Sequence, residues 1–420
     1  MTNTIKLSNC KVYKDGAFIS ADVTVDGGKI SISEPTRGGV FSNEIAKTLY
    51  VFPGFADVHV HLREPGFSYK ETVKSGTRAA ARGGYVSLCS MPNLSPAPDS
   101  IQTLGEQLAI IERDACIHVL PYGTITKGRA GKELSDMESM ADKVCGFTDD
   151  GSGIQTASLM REAMLKAKSL GKMIVAHCED MSLIEKGGCI HAGDYAKENG
   201  FVGISSESEW KQVERDLELV RETGCSYHVC HISTKETVAL IRAAKAEGLD
   251  VTCETGPHYL TMSDKDLRDE GRFKMNPPLR SEADKEALIE GLLDGTVDMI
   301  ATDHAPHSAE EKSKGLADSA MGVVGIETAF PVLYTDLVRT GKVSLERIAN
   351  ALSIAPVNRF SLPVGYEKGC MCVFELDTEY EIDPKDFLSM GKSSPFTGKR
   401  VYGDCVLTVY NGKVVYEKEI

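Results

Sequence analysis

The sequence predicts an α/β fold: a closed (β/α)8 barrel of the TIM type joined to a small β-sandwich-like domain formed by both chain ends. Three observations predict it. Short β-branched or apolar runs alternate with amphipathic helical stretches through the middle of the chain, the pattern of a parallel sheet with crossover helices. Eight such runs occur, the number that closes a barrel. Both chain ends instead alternate apolar and polar residues around tight-turn signals, which marks antiparallel strands.

Taken in order, residues 4–33 read as strands turning at Asp15-Gly16 and at Asp26-Gly27-Gly28. The barrel strands fall at 55–62, 86–91, 117–123, 144–148, 173–177, 227–231, 251–254 and 299–302. Helical runs at 156–169, 209–223 and 235–247 lie between them. Strands return at 371–376 and 401–416, with Asn411-Gly412 as a hairpin turn. The expected divisions are 1–52 and 361–420 for the two parts of the β domain and 53–360 for the barrel. An open doubly wound sheet is the alternative architecture. Residues 308–315 are polar without an apolar period and read as a flexible loop able to close over substrate.

With 420 residues, 42% hydrophobic and 26% charged, the chain is ordinary globular material that exceeds a single small domain. A net charge of −14 argues against a nucleic-acid partner, because phosphate binding needs a basic surface. It does not forbid an anionic substrate, since one arginine in a cleft reverses the local potential. The twelve cysteines are scattered, form no CxxC pair and read as small buried hydrophobes in a reducing compartment. No stretch approaches the roughly 18 apolar residues of a membrane span, and no apolar leader is evident, so a cytoplasmic location is expected.

The chemistry begins at Asp57-Val58-His59-Val60-His61-Leu62-Arg63. Period-two alternation puts Asp57, His59, His61 and Arg63 on one side of a strand. Two imidazoles at i and i+2 can ligate one divalent ion, usually zinc, although such a pair would also serve as two hydrogen-bonded core histidines. Further ligand-type residues end other strands: Asp149 and Asp150, His177, His231 and Asp303. That is too many for one tetrahedral ion, so a two-metal site is inferred, in which a carboxylate bridges the ions and a water between them is a hydroxide near neutral pH. One of Asp149 and Asp150 could instead cap the turn at Gly151 or the helix at Thr156.

The stretch Gly54-Phe55-Ala56-Asp57-Val58-His59-Val60-His61-Leu62-Arg63-Glu64-Pro65-Gly66 resembles the N-terminal signature of the dihydroorotases, of the class I bacterial type, in the amidohydrolase superfamily. Five later segments match in order: Met91-Pro92-Asn93, Phe147-Thr148-Asp149-Asp150-Gly151, Ala176-His177-Cys178-Glu179, Asn276-Pro277-Pro278-Leu279-Arg280 and Ala301-Thr302-Asp303-His304-Ala305-Pro306-His307. The resemblance implies two Zn2+ ions per chain, one on His59 and His61 and the other on His177 and His231. Asp150 would bridge them, and Asp303 would be both a metal neighbour and the general acid/base. Related allantoinases and dihydropyrimidinases normally bridge with a carboxylated lysine, so an aspartate here favours the dihydroorotase reading.

The same resemblance implies reversible interconversion of (S)-dihydroorotate and N-carbamoyl-L-aspartate in pyrimidine biosynthesis, with the bridging hydroxide as nucleophile. Arg63 suits the substrate carboxylate, because a planar guanidinium pairs with it bidentately. His61, Asn93, Asn276, Asp303, His307 and the Met321-Gly322 backbone would complete the substrate site. Met321 departs from the family, which has Phe-Gly before the segment Gly325-Ile326-Glu327-Thr328. His228, His258 and His304 read as structural, and Asp57 has no assigned task. Expected partners are the small-molecule substrate, no nucleic acid and no membrane, with a homodimer and association with aspartate transcarbamoylase left open. The competing readings are another cyclic amidohydrolase, and an inactive scaffold for that transcarbamoylase.

Overall fold

The computed structural model describes residues 4–35 and 48–418. At the N-terminus β1 (Ile5–Lys14), β2 (Ala17–Asp26) and β3 (Lys29–Ser33) form an antiparallel meander, and β4 (Leu49–Phe52) pairs in parallel with β1. The turn between β1 and β2 places Asp15 and Gly16 at φ 52° and 84°, as a two-residue hairpin that follows the strand twist requires.

The central strands are β5 (Phe55–Val60), β6 (Tyr85–Ser90), β7 (His118–Pro121) and β8 (Ile174–Ala176), then a small excursion pairing β9 (Ile190–His191) with β10 (Gly203–Ile204), then β11 (Tyr227–Val229), β12 (Val251–Thr255) and β13 (Met299–Ile300). The barrel strands pair in parallel as β5-β6-β7 and β8-β11-β12-β13. Phe147 bridges the two ladders through Gly123 and Ile174. Closure runs through His304, whose carbonyl accepts from the His61 amide at 2.9 Å and which bridges to Val60. Side-chain caps start the crossover helices: Thr72 before Val73–Arg82, Ser100 before Ile101–Asp114, Thr234 before Lys235–Ala246 and Ser281 before Glu282–Asp294. Each accepts an otherwise unpaired backbone N–H, so the chain leaves its strand and enters the helix within a few residues.

The C-terminal strands β14 (Met371–Glu381), β15 (Arg400–Tyr410) and β16 (Lys413–Glu417) extend the N-terminal meander. The two ends make one seven-stranded sheet in the order β16-β15-β14-β4-β1-β2-β3, in which β4 joins the contributions. Bulges at Leu7/Cys10, Glu375/Glu379 and Thr408/Val409 curl it around a core of Cys10, Val12, Val23, Val51, Val373 and Val409. Phe52, Phe55, Phe330 and Phe374, with ring centroids 4.2 to 5.7 Å apart, seam this sheet to the barrel.

Three expectations change. The run at 144–148 contributes only the Phe147 bridge, because Asp149 draws the following chain into a turn. Its carboxylate accepts from the Ile125 and Thr126 amides at 2.8 and 3.1 Å. The run at 299–302 pairs only through Met299–Ile300, because the Thr302 amide and hydroxyl donate to the Asp57 carboxylate at 3.2 and 2.6 Å. Asp57 thereby stitches the last strand to the first. Finally, 308–315 is not an unstructured loop. A Ser308–Glu311 capping box starts the helix Ala309–Lys312, a second turn follows at Gly315–Asp318, and Lys312 is buried beneath them.

Candidate metal and substrate site

The C-terminal ends of the barrel strands converge on a cavity of about 220 Å³. That is small for a ligand pocket and suits a single substituted ring. Its lining includes His61, Arg63, Asn93, Asp150, His177, His231, Asn276, Asp303, His307, Met321 and Gly322. His59 lies just beneath, fully buried. Every residue that the sequence nominated for the site is therefore brought together, on the face where this architecture carries its chemistry.

Three non-glycine residues there adopt left-handed backbone: Arg63 (φ 63°), His231 (φ 32°) and Asp303 (φ 46°). Each follows a strand end, and each departure from the strand turns a polar side chain toward the cavity. Such conformations cost energy and persist where packing over-determines them, which is common at functional sites. Gly322 has φ 127°, and a Cβ there would come within 2.8 Å of the Ala305 methyl, so only glycine fits.

Asp150 sits among the four histidines. Its Oδ1 is 3.4 Å from His59 Nε2, 3.6 Å from His177 Nδ1 and 3.5 Å from His231 Nε2, and its Oδ2 is 3.7 Å from His61 Nε2. Asp303 Oδ1 lies 3.0 Å from His61 Nε2 and 3.6 Å from His59 Nε2. Among the described residues three groups have donor atoms close enough to share an ion: His59, Asp150 and His231; His59, His61 and Asp303; and, behind His59, the set His59, Cys230 and Glu254. Among the described residues His59 Nε2 and Asp150 Oδ1 are buried polar atoms without a hydrogen-bonding partner. Two electron-rich atoms left unpaired and facing one another fit a cation between them, and the mixed nitrogen and oxygen donors suit a catalytic divalent metal.

The electrostatics point the same way. Burial opposes charge on His59, but Asp150, Glu254 and Asp303 overcome it and hold its imidazole well above the ordinary range. Burial likewise disfavours the Asp150 and Asp303 carboxylates, yet the surrounding histidines hold both well below theirs. His61, where burial dominates, falls to about 4. The carboxylates thus demand positive charge at the centre, and ligated metal meets that demand where protons otherwise must.

A model of the dihydro-orotase-like family matches residues 48–237. A dihydroorotase of Fusobacterium nucleatum is 49% identical across 98% of this chain and 98% of its own length. The chain belongs to the dihydroorotase family. A dihydroorotase of Staphylococcus epidermidis is 47% identical, with 98% of this chain and 99% of the relative covered. Among solved structures, the L-hydantoinase (dihydropyrimidinase) of Arthrobacter aurescens superposes with a TM-score of 0.85 at 26% identity, covering 99% of this chain and 96% of its own. The dihydropyrimidinase of Brevibacillus agri gives 0.82 at 21% identity, covering 99% and 95%. The barrel with its curled sheet from both ends is thus the amidohydrolase architecture. Among the described residues no helix is long and apolar enough to cross a membrane.

Within this dihydroorotase-family site the sequence missed several supporting residues. Glu254, at the end of β12, accepts from His59 Nδ1 at 2.6 Å and pairs with His228 Nε2 at 3.1 Å, which explains the burial of His228. Burial works against its charge, but the two histidines bring it down to about 2. This contact fixes the His59 tautomer with Nε2 free toward the centre. Glu179 instead accepts from His177 Nε2 at 3.3 Å, leaving that ring's Nδ1 toward the centre, and accepts from Asn276 Nδ2 at 3.0 Å. Lys70 approaches His307 Nδ1 at 3.1 Å. A strand-ending glutamate was a visible signal for Glu254, and the i+2 spacing from His177 was one for Glu179. Nothing local marks Lys70. Of the histidines set aside, His304 pairs with Glu71 at 3.6 Å away from the cavity, while His258 is buried behind it and pushed down to about 4, by burial first.

Proposed function

We propose that this chain uses two Zn2+ ions to interconvert (S)-dihydroorotate and N-carbamoyl-L-aspartate, the ring-closing and ring-opening step of pyrimidine biosynthesis. The observation that carries the reading is a guanidinium placed beside a complete ligand cluster. His61, Asp150, His177, His231 and Asp303 line one pocket with Arg63, above the buried His59, and the Arg63 Nε is engaged by the Pro306 carbonyl at 3.1 Å. With Nε held, the terminal nitrogens present a fork to a carboxylate. Dihydroorotate has that carboxylate, whereas hydantoin, allantoin and dihydrouracil rings do not.

His59 and His61 would hold one ion and His177 and His231 the other, with Asp150 between them and Asp303 beside the first. Ions bound there would supply an acidified water and polarise the ring carbonyl. Asp303, kept ionised by its histidine neighbours, accepts the proton released as water adds to the amide carbon. As the carbon–nitrogen bond breaks, Asp303 returns that proton to the ring nitrogen, which leaves as the ureido NH2. In ring closure the same carboxyl receives the proton from that nitrogen. Asn93 donates Nδ2 to the Asp150 carbonyl at 2.9 Å and has a buried, unpartnered Oδ1. Asn276, its Nδ2 committed to Glu179, lines the same cavity, and amide oxygens of both residues suit ring N–H groups.

The test is ring opening of dihydroorotate measured beside allantoin and dihydrouracil, with and without a chelator, together with metal analysis. Chelator-sensitive turnover of dihydroorotate, faster than of the neutral rings, and about two zinc ions per chain are expected. Preference for a neutral ring, or full activity without metal, would overturn the reading.

A further inference from the structure

His307 is held at both ring nitrogens, and the two contacts determine its proton. Nε2 lies 2.8 Å from the Met321 carbonyl, which can only accept, so Nε2 carries hydrogen. Nδ1 lies 3.1 Å from Lys70 Nζ, which as an ammonium can only donate, so Nδ1 is the free lone pair. The ring is therefore neutral. Burial first, then Arg63 and Lys70, push its pKa down to about 3, against the hydrogen bond to the Met321 carbonyl and with Lys312 adding to the push, while Glu311 Oε2 lies 3.7 Å from Nδ1. The approach of Arg63 Nη2 to His307 Nε2, at 3.3 Å, is then a meeting of two donors rather than a hydrogen bond.

We propose that Lys70 is a positioning residue for carboxylate recognition: by donating to His307 Nδ1 it locks the Nε2–H tautomer and so leaves the Arg63 guanidinium for the substrate. This rests on the substrate reading above. Lys70 does not line the cavity, and only 13% of its side chain is exposed. Without it a second arrangement becomes available, in which Nδ1–H turns toward Glu311 Oε2 and Nε2 accepts from Arg63. That arrangement would release the Met321 carbonyl and divert the guanidinium from the substrate. Lys70 also pairs with Glu311 Oε1 at 2.8 Å, so a purely structural role through that ion pair must be separated from the tautomer lock.

Lys70→Met and Glu311→Gln separate them. Glutamine can still serve the Ser308 capping box and leaves the Lys70–His307 contact intact. Lys70→Met is expected to raise KM for dihydroorotate about tenfold or more with kcat within about twofold, and to leave dihydrouracil turnover unchanged. Nitrogen-15 spectra of the imidazoles should show His307 as Nε2–H in the parent and shifted toward Nδ1–H in Lys70→Met. Lys70→Arg, which retains a donor, should fall between, and Glu311→Gln should match the parent in both readouts. An unchanged tautomer or KM in Lys70→Met, or a Glu311→Gln variant that reproduces its effects, overturns the proposal. The spectra need no turnover, so a parent enzyme inactive on dihydroorotate would defeat the functional reading while the spectra still decide the lock.

Discussion

The two halves of this cavity are built on opposite principles. The ligand half stands on strand ends and sets carboxylates, Asp150, Asp303 and Glu254, against imidazoles whose tautomers they select. The recognition half stands on loops and sets cations against backbone carbonyls: Arg63 on Pro306, Lys312 on Lys274, Ala320 and Gly322, and Lys274 on Ala317. In a chain of net charge −14, the buried cations Arg63, Lys274 and Lys312 thus gather in the loops of this half. Chemistry is assigned to the rigid frame, and choice of substrate to the segments between its elements, which can vary without disturbing it.

The largest effect should come from the residue that joins the halves. Asp303→Asn removes the proton acceptor while leaving an oxygen near the metals, so kcat should fall on the order of 10³-fold with metal content retained. Activity close to the parent's would remove Asp303 from its assigned role. Arg63→Met attacks only the recognition half. Loss of a paired charge-assisted contact of about 3 kcal/mol should lower kcat/KM for dihydroorotate roughly 10²-fold, while dihydrouracil is unaffected. Equal losses on both rings would mean that the two halves are not separable.

Glu254→Gln attacks only the ligand half, from outside the cavity. Removing the carboxylate that orients His59 should weaken metal binding about 10- to 100-fold, read as metal lost on dialysis against a graded chelator. KM for dihydroorotate in metal-saturated enzyme should change little. A variant that keeps its metal but loses substrate affinity would contradict the division.

The halves also differ in how far they were legible from sequence. The ligand half rests on strand periodicity and strand ends, so His59 and His61, then Asp150, His177, His231 and Asp303, are legible on one barrel face from the sequence itself. Asp57 was placed on that face without a task, because its partner is the missing ladder rung at Thr302, 245 residues away. Glu254 and Glu179 act through other residues; a strand-ending position and an i+2 spacing from His177 hint at them, but neither signal says which imidazole each one orients. The recognition half was harder because its geometry comes from carbonyls, which every residue possesses. Even so, the sequence carries a Ser-x-x-Glu box, Ser308 to Glu311, which the polar composition of 308–315 conceals. Composition averages over a stretch, whereas a cap is decided by two residues.

Lys312 offers the finest test, since it shapes the recognition half without approaching substrate. Its Nζ donates to the carbonyls of Lys274, Ala320 and Gly322 at 3.0, 2.7 and 2.7 Å. Lys312→Met leaves those carbonyls short of a donor and should cost roughly 2 kcal/mol of stability. KM should rise only a few-fold, because His307 still holds the Met321 carbonyl and the Gly322 amide still donates to Lys274 at 3.1 Å. Burial first, and Lys274 second, push the Lys312 ammonium from its ordinary 10.5 down to about 7. From about pH 7 to 10.5 the unfolded chain then binds more protons than the folded one, so the parent's stability relative to Lys312→Met should rise with pH across that window. Below it both states are protonated and the difference should be flat. The three carbonyls oppose this shift, since they need all three N–H donors of the charged form. A stability difference that stays constant from about pH 7 to about pH 10 would mean that the carbonyls win and that the recognition wall carries its full charge throughout.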